Sequence, residues 1–209
     1  MYVPPAFRND DPAFLAQVIR DARLCNFVTA TAEGPMSTPL PLYYAADEGE
    51  HGTLYGHLAR ANPQWKAPVI GDGLAIFSGA HAYVTPSWYA SKNEDHKVVP
   101  TWNYLAVHAY GPVEFIDDAD RLLELVTRLT DVYEQQRAEP WRVSDAPERY
   151  IATQLRGIVG LRMPITRIFG KAKMSQNRNA ADRAGVAAGL AASDRPEDRE
   201  VARLIPVDE

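Results

Sequence analysis

Short apolar runs separated by turn residues dominate the first part of the chain. Alternating or β-branched apolar residues over short runs are typical of strands, whereas apolar residues repeating every three to four positions are typical of helices. We therefore predict strands over residues 24–32, 37–45, 53–61, 74–78 and 80–85, with one or two more within 98–116, broken at Gly111-Pro112. Residues 158–169 alternate in the same way and are predicted as a strand, and residues 91–97 are predicted as a polar loop.

Helical patterns lie near the start, the middle and the end of the chain. Asp11-Pro12 predicts an N-cap followed by proline at the first helical position. Asp117 or Asp118 is expected to cap the most regular helix, with an apolar stripe of Leu122, Leu125, Val126, Leu129, Val132 and Tyr133. Residues 147–156 predict a shorter helix, and residues 179–204 predict two helical pieces split near Asp194-Arg195-Pro196.

Many short strands with few helices between them favour an antiparallel barrel over a parallel sheet. The fold class is therefore predicted as α+β dominated by β, with the helices covering the barrel and its edges. We expect residues 1–209 to form a single domain with a helical C-terminal extension over about residues 179–209.

Composition and charge exclude several classes of protein. No apolar run has the length of a membrane-spanning helix and no signal peptide is visible, so we expect a cytoplasmic protein without a membrane partner. The net charge of −5 disfavours binding of nucleic acid by the whole surface. The single Cys25 lies in an apolar run and is expected in the core. The motifs of Rossmann dinucleotide sites, Walker loops, serine hydrolases and zinc proteases are absent from the sequence.

Histidine and tryptophan concentrate in three blocks. Three of the five histidines and three of the four tryptophans lie in GHLARANPQW (56–65), GAHAYVTPSWY (79–89) and VPTWNYLAVH (99–108). Flat rings mixed with amides and imidazoles are typical of a pocket for a planar polar ligand. The alternative is that the aromatic residues Tyr83, Trp88, Tyr89, Trp102 and Tyr104 only fill the core.

His57, His81 and His108 could in principle bind a metal ion. Each is predicted on a different strand, their spacing matches no metal motif, and no carboxylate lies at a supporting spacing. We therefore favour hydrogen bonding to a ligand, or a structural role, for each histidine and predict no metal site.

Positive charge concentrates near the end of the chain. Residues 165–183 carry a net charge of +4, against −9 for the rest of the sequence, through Arg167, Lys171, Lys173, Arg178 and Arg183. This segment is either a solvated basic turn or a contact for a cofactor phosphate, nucleic acid, or both. Arg60, predicted at a strand end, is likewise either a solvated charge or a phosphate ligand.

Five motifs resemble one family closely, the PaiB-type FMN-binding negative transcriptional regulators. They are MYVPPAF (1–7), GHLARANP (56–63), HAYVTPSWY (81–89), PTWNY (100–104) and KAKMSQNR (171–178). The match runs from residue 1 to about residue 190. The resemblance implies a split β-barrel like that of the pyridoxamine-phosphate-oxidase-type flavin proteins, a homodimer with FMN in a cleft between the subunits, and a role as a repressor of transcription.

We predict how such a site would hold FMN. Arg60, with Lys173 or Arg178, is expected to bind the phosphate. The isoalloxazine is expected to be lined by the Thr38–Leu42 strand, which contains Leu40, and by the Trp102-Asn103-Tyr104 segment, contributed either by one subunit or by two. Within the matched motifs, His57, Asn62, Tyr83 and Gln176 complete the predicted cofactor-binding set; no catalytic residue is predicted.

Two alternatives to a transcriptional regulator remain open. The same barrel could serve as a flavin-dependent oxidoreductase or a haem-handling enzyme, or as an interaction module without a cofactor. A regulator is favoured over an enzyme, and its further partner is either a DNA operator or another protein. The net charge, together with competition between FMN phosphate and DNA for the same side chains, disfavours direct DNA binding, so we expect repression to act through a partner or an enzymatic activity.

Overall fold

The computed structural model describes residues 1–207 and, at Asp95, the backbone alone. Within this part of the chain, nine strands and six α-helices form. The strands are β1 (Cys25–Thr31), β2 (Gly34–Leu40), β3 (Tyr43–Ala45), β4 (Thr53–Ala59), β5 (Gly73–Val84), β6 (Thr101–Gly111), β7 (Glu114–Ile116), β8 (Ile158–Pro164) and β9 (Arg167–Lys173). The helices are α1 (Pro12–Asp21), α2 (Lys92–Asp95), α3 (Ala119–Glu134), α4 (Glu148–Leu155), α5 (Ala180–Ala191) and α6 (Pro196–Leu204).

The strands form two sheets. One has five strands in the order β2-β1-β5-β6-β9, and the other has four in the order β3-β4-β8-β7. Strand β1 pairs antiparallel with β2 from Cys25↔Leu40 to Thr31↔Gly34, and β4 pairs antiparallel with β8 along its whole length. Strand β2 is an edge strand, which lets it contain Pro39 because an edge strand does not need every N–H for pairing.

Three predicted strand boundaries were wrong. Residues 74–78 and 80–85 belong to one continuous strand, β5, because Gly79 continues the extended backbone and does not break it. Residues 37–45 and 158–169 each divide between two strands, interrupted at Pro41-Leu42 and at Ile165-Thr166. In addition, the predicted polar loop at 91–97 contains the single helical turn α2.

Local capping chemistry explains where the principal helices begin. The carboxylate of Asp11 accepts a hydrogen bond from the N–H of Phe14 at 2.8 Å, and that of Asp118 accepts from the N–H of Arg121 at 2.9 Å. Both side chains satisfy amide groups that the first turn leaves without a partner. Asp118, and not Asp117, is therefore the N-cap of α3.

The chain divides into two compact units. Unit 1 comprises Met1–Val18, Ser78–Val107 and the chain from Phe169 onward; unit 2 comprises Ile19–Phe77 and His108–Ile168. The prediction of one domain with a C-terminal extension stays a prediction; the two predicted helical pieces are observed as α5 and α6.

In unit 1, helices α5 and α6 cover one face of the strand segments. Val186, Leu190 and Val201 form a buried cluster with Ala82 and Val84 of β5. Because side chains alternate along a strand, His81 and Tyr83 lie on the opposite face. The face of these strands that the helices do not cover therefore carries aromatic side chains.

In unit 2, helices α3 and α4 pack on the four-stranded sheet. Leu122, Leu125 and Leu155 bury their side chains against Ile116 of β7. Gly160 of β8 permits this approach, since a Cβ there would lie only 3.0 Å from Ile116 Cβ and from Leu122 Cδ2. The predicted core position of Cys25 is confirmed: it is buried, and burial raises the pKa of its thiol to about 12.

No helix in the part of the chain that the structure describes is long and apolar enough to cross a membrane.

Candidate functional site

An aromatic surface lies on the uncovered face of unit 1. The ring of Trp102 on β6 meets Tyr83 on β5 edge to face, with centroids 5.8 Å apart, and His81 lies 6.3 Å from Trp102. Trp102 is 53% exposed and Tyr83 is 47% exposed, although large aromatic side chains are usually more stable when they are buried. Two adjacent exposed rings are therefore available to stack on, or cover, a planar ligand. The alternative that the aromatic residues only fill the core does not hold for Tyr83 and Trp102.

Three cations gather beside this surface. The ammonium of Lys173 donates to the hydroxyl of Thr101 and, at 2.7 Å, to the carbonyl oxygen of Trp102. Burial lowers the pKa of Lys173, and the neighbouring charges of Lys171 and Arg178 lower it further. None of the three cations forms an ion pair with a carboxylate among the side chains that the structure describes. Such a cluster of positive charge favours binding of an anion, because the anion would offset the repulsion between the cations.

The same cations also pack on aromatic rings. Lys171 is buried, with its ammonium 5.0 Å from the centroid of Tyr104 and 3.3 Å from the carbonyl oxygen of Tyr2. The guanidinium of Arg178 lies 4.4 Å from the centroid of Tyr89. Cation–π contacts of this kind hold the charges in place without neutralising them.

A side-chain network fixes the turn that follows β9. The buried amide of Asn103 donates to the hydroxyl of Ser175 at 2.9 Å, and Ser175 has a left-handed backbone with a φ of 60°. Gln176 accepts from the N–H of Met174 at 2.7 Å and donates to the carbonyl oxygen of Ala172 at 2.5 Å. A non-glycine residue with positive φ costs free energy and persists only where its surroundings impose it. Asn103 and Gln176 therefore position the turn next to Lys173.

In unit 2, the motif GHLARANPQW ends strand β4 and continues into a loop anchored by a buried glutamine. Gln64 is 1% exposed and its amide donates to the hydroxyl of Thr29 at 3.1 Å. Its side-chain oxygen accepts from Thr38 at 2.5 Å, and Thr38 in turn accepts from the amide of Asn62 at 2.8 Å. Thr38 and Asn62, predicted from separate segments of the chain, are thus brought together. Leu40, from the same strand as Thr38, is buried in the core.

Arg60 closes the other end of this loop. Its guanidinium forms an ion pair with Asp117 and donates to the carbonyl oxygens of Arg156 at 2.7 Å and Ile158 at 2.9 Å. The hydrogen bond from Arg60 lowers the pKa of Asp117. Arg60 is therefore a partly exposed side chain held by an ion pair and two carbonyl oxygens, and a phosphate there would compete with Asp117.

The three block histidines are divided between the two units. His81 lies on the aromatic surface of unit 1, whereas His57 and His108 lie in unit 2, where burial lowers the pKa of each imidazole. Among the described residues, no group of three or more histidine, cysteine, aspartate or glutamate side chains could hold a metal ion.

The predicted cofactor residues thus fall into two sets. Tyr83, Trp102, Asn103, Lys173, Gln176 and Arg178 belong to unit 1, and Thr38, Leu40, His57, Arg60 and Asn62 belong to unit 2. Sequence reasoning missed Gln64, Ser175 and the buried Asp182, which accepts hydrogen bonds from Ser91. Of these, Ser175 lies inside the matched motif KAKMSQNR and Gln64 lies inside the block GHLARANPQW, so both carried a signal, whereas Asp182 carried none.

Comparison with known proteins decides the family. Residues 1–167 match the family described as "Putative FMN-binding domain". The chain belongs to this FMN-binding family. A relative from Bacillus subtilis (strain 168), the protease synthase and sporulation protein PAI 2, is 32% identical over 206 residues, which cover 98% of this chain and 96% of the relative. The resemblance inferred from the motifs is confirmed, and FMN is the cofactor.

Solved structures show the fold. The FAD and heme binding protein from Mycobacterium smegmatis matches with a TM-score of 0.58 at 14% identity, covering 79% of this chain and 73% of that one. The flavocytochrome Anf3 from Azotobacter vinelandii matches with a TM-score of 0.56 at 15% identity, covering 79% and 69%. At these identities the likeness establishes only the fold, a split β-barrel of the pyridoxamine-phosphate-oxidase type, as predicted.

The residues of unit 1 fit the chemistry of FMN in this family. Exposed Trp102 and Tyr83 offer apolar faces of the kind an isoalloxazine needs. Lys173 and Arg178 offer positive charge of the kind a phosphate needs, and no described carboxylate neutralises them.

Proposed function

We propose that this protein is a homodimeric, FMN-dependent repressor of transcription of the PaiB type. The observation that supports this role is similarity to PAI 2 along nearly the full length of both chains, combined with membership of the FMN-binding family. A protein named for protease synthesis and sporulation acts on processes that bacteria switch on under particular conditions, which suits a regulator better than a metabolic enzyme.

We place the FMN phosphate at Lys173 and Arg178 and the isoalloxazine against Trp102 and Tyr83. Two cations without a carboxylate partner among the described side chains, together with the exposed ring pair, support this placement. When bound, FMN supplies the redox chemistry, and the chain binds and orients it. Asn103 and Gln176 act by holding the turn beside Lys173. Thr38, Leu40, His57, Arg60 and Asn62 stay predicted contacts.

We propose a dimer with FMN in a cleft between the subunits. The exposed aromatic surface supports this, because a partner subunit and a flavin together would remove Trp102 and Tyr83 from water. Light scattering of the FMN-loaded protein at micromolar concentration should give twice the chain mass of 23.2 kDa. A monomer mass would reject the dimer and leave the FMN assignment standing.

The flavin placement is tested by titrating FMN into the apoprotein. Lys173→Met should weaken binding roughly tenfold to a hundredfold, because a charge-assisted contact contributes about 1.5–3 kcal/mol. Lys66→Met is the matched control, since Lys66 is an exposed lysine of unit 2. Equal FMN affinity for Lys173→Met and wild type would refute the placement. A sharp Soret band in the purified protein would favour the haem-handling alternative.

The regulatory role is tested in Bacillus subtilis lacking PAI 2. Expression of this chain should restore wild-type protease and spore levels, and the Lys173→Met variant should restore them less well. If the wild-type chain is expressed and binds FMN but restores neither property, the regulatory proposal fails while the cofactor assignment survives.

The basic segment supports a cofactor contact better than a DNA-binding surface. Lys171 is 8% exposed, and Arg183 donates to the carbonyl oxygens of Pro206 at 2.6 Å and Arg178 at 2.8 Å. We therefore propose that repression acts through a protein partner. A shift of operator DNA in an electrophoretic assay at nanomolar protein and physiological salt would contradict this part of the proposal.

A further inference from the structure

A short segment of unit 1, residues 85–91, follows β5 and holds the ring on which Arg178 packs. The segment contains a single 3-10 turn, Pro86–Trp88. Tyr89 comes directly after this turn and is buried in the cluster that β5 forms with α5 and α6. The guanidinium of Arg178 lies 4.4 Å from the centroid of the Tyr89 ring. The placement of this segment therefore affects one of the two cations proposed to bind the FMN phosphate.

Two glycines of α5 allow the segment to lie directly against the helix. A Cβ at Gly185 would overlap the carbonyl oxygen of Trp88, and a Cβ at Gly189 would overlap the Trp88 indole ring. Glycine is unfavourable inside a helix, so the close contact with Trp88 offsets a local cost at both positions. The contact fixes the segment on the N-terminal side of Tyr89.

The buried Asp182 fixes the segment on the other side of Tyr89. Its carboxylate accepts from the backbone N–H of Ser91 at 2.9 Å and from the hydroxyl of Ser91 at 2.8 Å. Asp182 is 1% exposed, and a buried carboxylate is stable only where hydrogen bonds replace its hydration. Ser91 supplies two such bonds, and the first turn of α5 adds the positive end of the helix dipole.

These contacts lie on one face of α5. Asp182, Gly185 and Gly189 follow each other at intervals of three and four residues, which places them along the same side of the helix. The helix thus holds the 85–91 segment before and after Tyr89, and the ring of Tyr89 has little freedom to move away from Arg178. The cation–π contact in turn restrains the guanidinium without neutralising its charge.

We infer that Asp182 is a positioning residue for the FMN phosphate and sets the preference of the site for FMN over flavins that lack a phosphate. Its buried carboxylate acts through Ser91, Tyr89 and Arg178 and not by contact with the flavin. The inference rests on the proposed placement of the phosphate at Lys173 and Arg178.

The physical basis is the cost of ordering a long side chain on a ligand. Without the Asp182 carboxylate, the 85–91 segment loses one of its two attachments to α5, and the ring beside Arg178 becomes free to move. Arg178 then loses more conformational freedom when it binds the phosphate, which lowers affinity. The isoalloxazine, placed on the exposed ring pair, does not use this cation, so its own binding should not change.

The test compares FMN with riboflavin, which has the same isoalloxazine and no phosphate. Both are titrated into the apoprotein. Asp182→Ala removes both acceptors and should weaken FMN binding roughly threefold to tenfold while leaving riboflavin binding unchanged. Asp182→Asn should bind FMN within about twofold of wild type, because its amide can accept from the N–H of Ser91 and donate to the hydroxyl.

Asp198→Ala is the matched control. Asp198 is the third residue of α6, as Asp182 is the third residue of α5, and it accepts from the hydroxyl of Ser193 at 2.7 Å. The substitution removes the same kind of contact within unit 1, but its serine partner lies outside the 85–91 segment. Both flavin affinities should equal those of wild type. Circular dichroism and urea unfolding establish that each variant is folded.

A double-mutant cycle tests whether the effect passes through Arg178. Arg178→Met alone should weaken FMN binding and leave riboflavin binding unchanged. Adding Asp182→Ala to Arg178→Met should cause no further loss of FMN affinity, because the side chain that Asp182 positions is already absent. If Asp182→Ala does not fold, Ser91→Ala takes its place in the cycle; it removes one of the two hydrogen bonds and should weaken FMN binding alone by roughly twofold to threefold.

Three results would overturn the inference. The first is equal FMN affinity for wild type and the folded Asp182→Ala variant, or the Ser91→Ala variant used in its place. The second is an equal loss of FMN and riboflavin affinity, which would indicate general damage to the site. The third is additive losses in the double variant. If Arg178→Met itself leaves FMN affinity unchanged, the proposed phosphate placement fails together with the inference; if it weakens FMN selectively and Asp182→Ala does not, only the inference fails.

Discussion

The buried Gln64 offers a stringent test of how the loop after β4 is held. In Gln64→Met the side chain keeps a similar volume but loses its polar atoms, so the change removes hydrogen bonds without creating a large cavity. Thr29, which has no exposed surface, loses the amide that donates to its hydroxyl at 3.1 Å. An unsatisfied buried group of this kind costs about 1–3 kcal/mol.

The hydroxyl of Thr38 also loses its acceptor on Gln64. Because Thr38 is only partly buried and still accepts from Asn62 at 2.8 Å, this loss counts at the net value of an ordinary hydrogen bond, about 1 kcal/mol. We therefore expect Gln64→Met to lower the free energy of unfolding by about 2–4 kcal/mol.

Equilibrium unfolding in urea, followed by tryptophan fluorescence and circular dichroism, measures this change. Gln135→Met is the control, since Gln135 is exposed and donates only a long hydrogen bond of 3.4 Å to the carbonyl oxygen of Val132. It should change the free energy of unfolding by no more than about 0.5 kcal/mol. A loss below about 1 kcal/mol in Gln64→Met would show that water or neighbouring groups replace the amide, contrary to this reasoning.

Three further predictions concern charge, packing and the thiol. FMN affinity should fall as the pH rises through the pKa of Lys173, because phosphate favours the protonated lysine and burial lowers this pKa below the usual lysine value in the free protein. FMN titration of Lys173→Met should show a weaker pH dependence, and identical pH profiles for the variant and wild type would exclude this lysine. Gly160→Val should lower the free energy of unfolding by about 1–3 kcal/mol, since the Cβ of the new side chain would lie 3.0 Å from Ile116 Cβ and Leu122 Cδ2. Urea unfolding measures this change, and an unchanged midpoint would contradict the prediction by showing that α3 can shift away from β8. Cys25 should resist a thiol reagent at pH 8 until the protein unfolds, because its thiol is buried with a pKa of about 12; rapid labelling of the native protein would contradict that burial.

The sequence predicted well those features that depend on neighbouring residues. Asp11 and Asp118 act as helix caps, and the apolar stripe of α3 packs where its spacing predicts. Capping and helical periodicity involve residues within one or two turns, so they are visible in the sequence alone. Strand boundaries were predicted less well, because an extended chain through Gly79 and an interruption at Pro41-Leu42 depend on which strands pair.

The motifs also determined the family, and with it the fold and FMN. Trp102, Tyr83 and Lys173 were identified by residue type, and the structure shows two adjacent exposed rings and a lysine without an acidic partner among the described side chains. Their candidate role could be inferred from sequence because the chemistry of a flavin demands rings and positive charge.

Only the tertiary structure decided which atoms each of these side chains meets. It paired Arg60 with Asp117, buried Lys171 beneath aromatic rings, joined Asn103 to Ser175, and placed His57 at a cavity lined by helix residues. These partners are separated by many positions in the sequence, and Asn103 and Ser175 are 72 residues apart. The local sequence pattern does not predict such pairs, because they form only when whole strands and helices pack together and exclude water from the space between them.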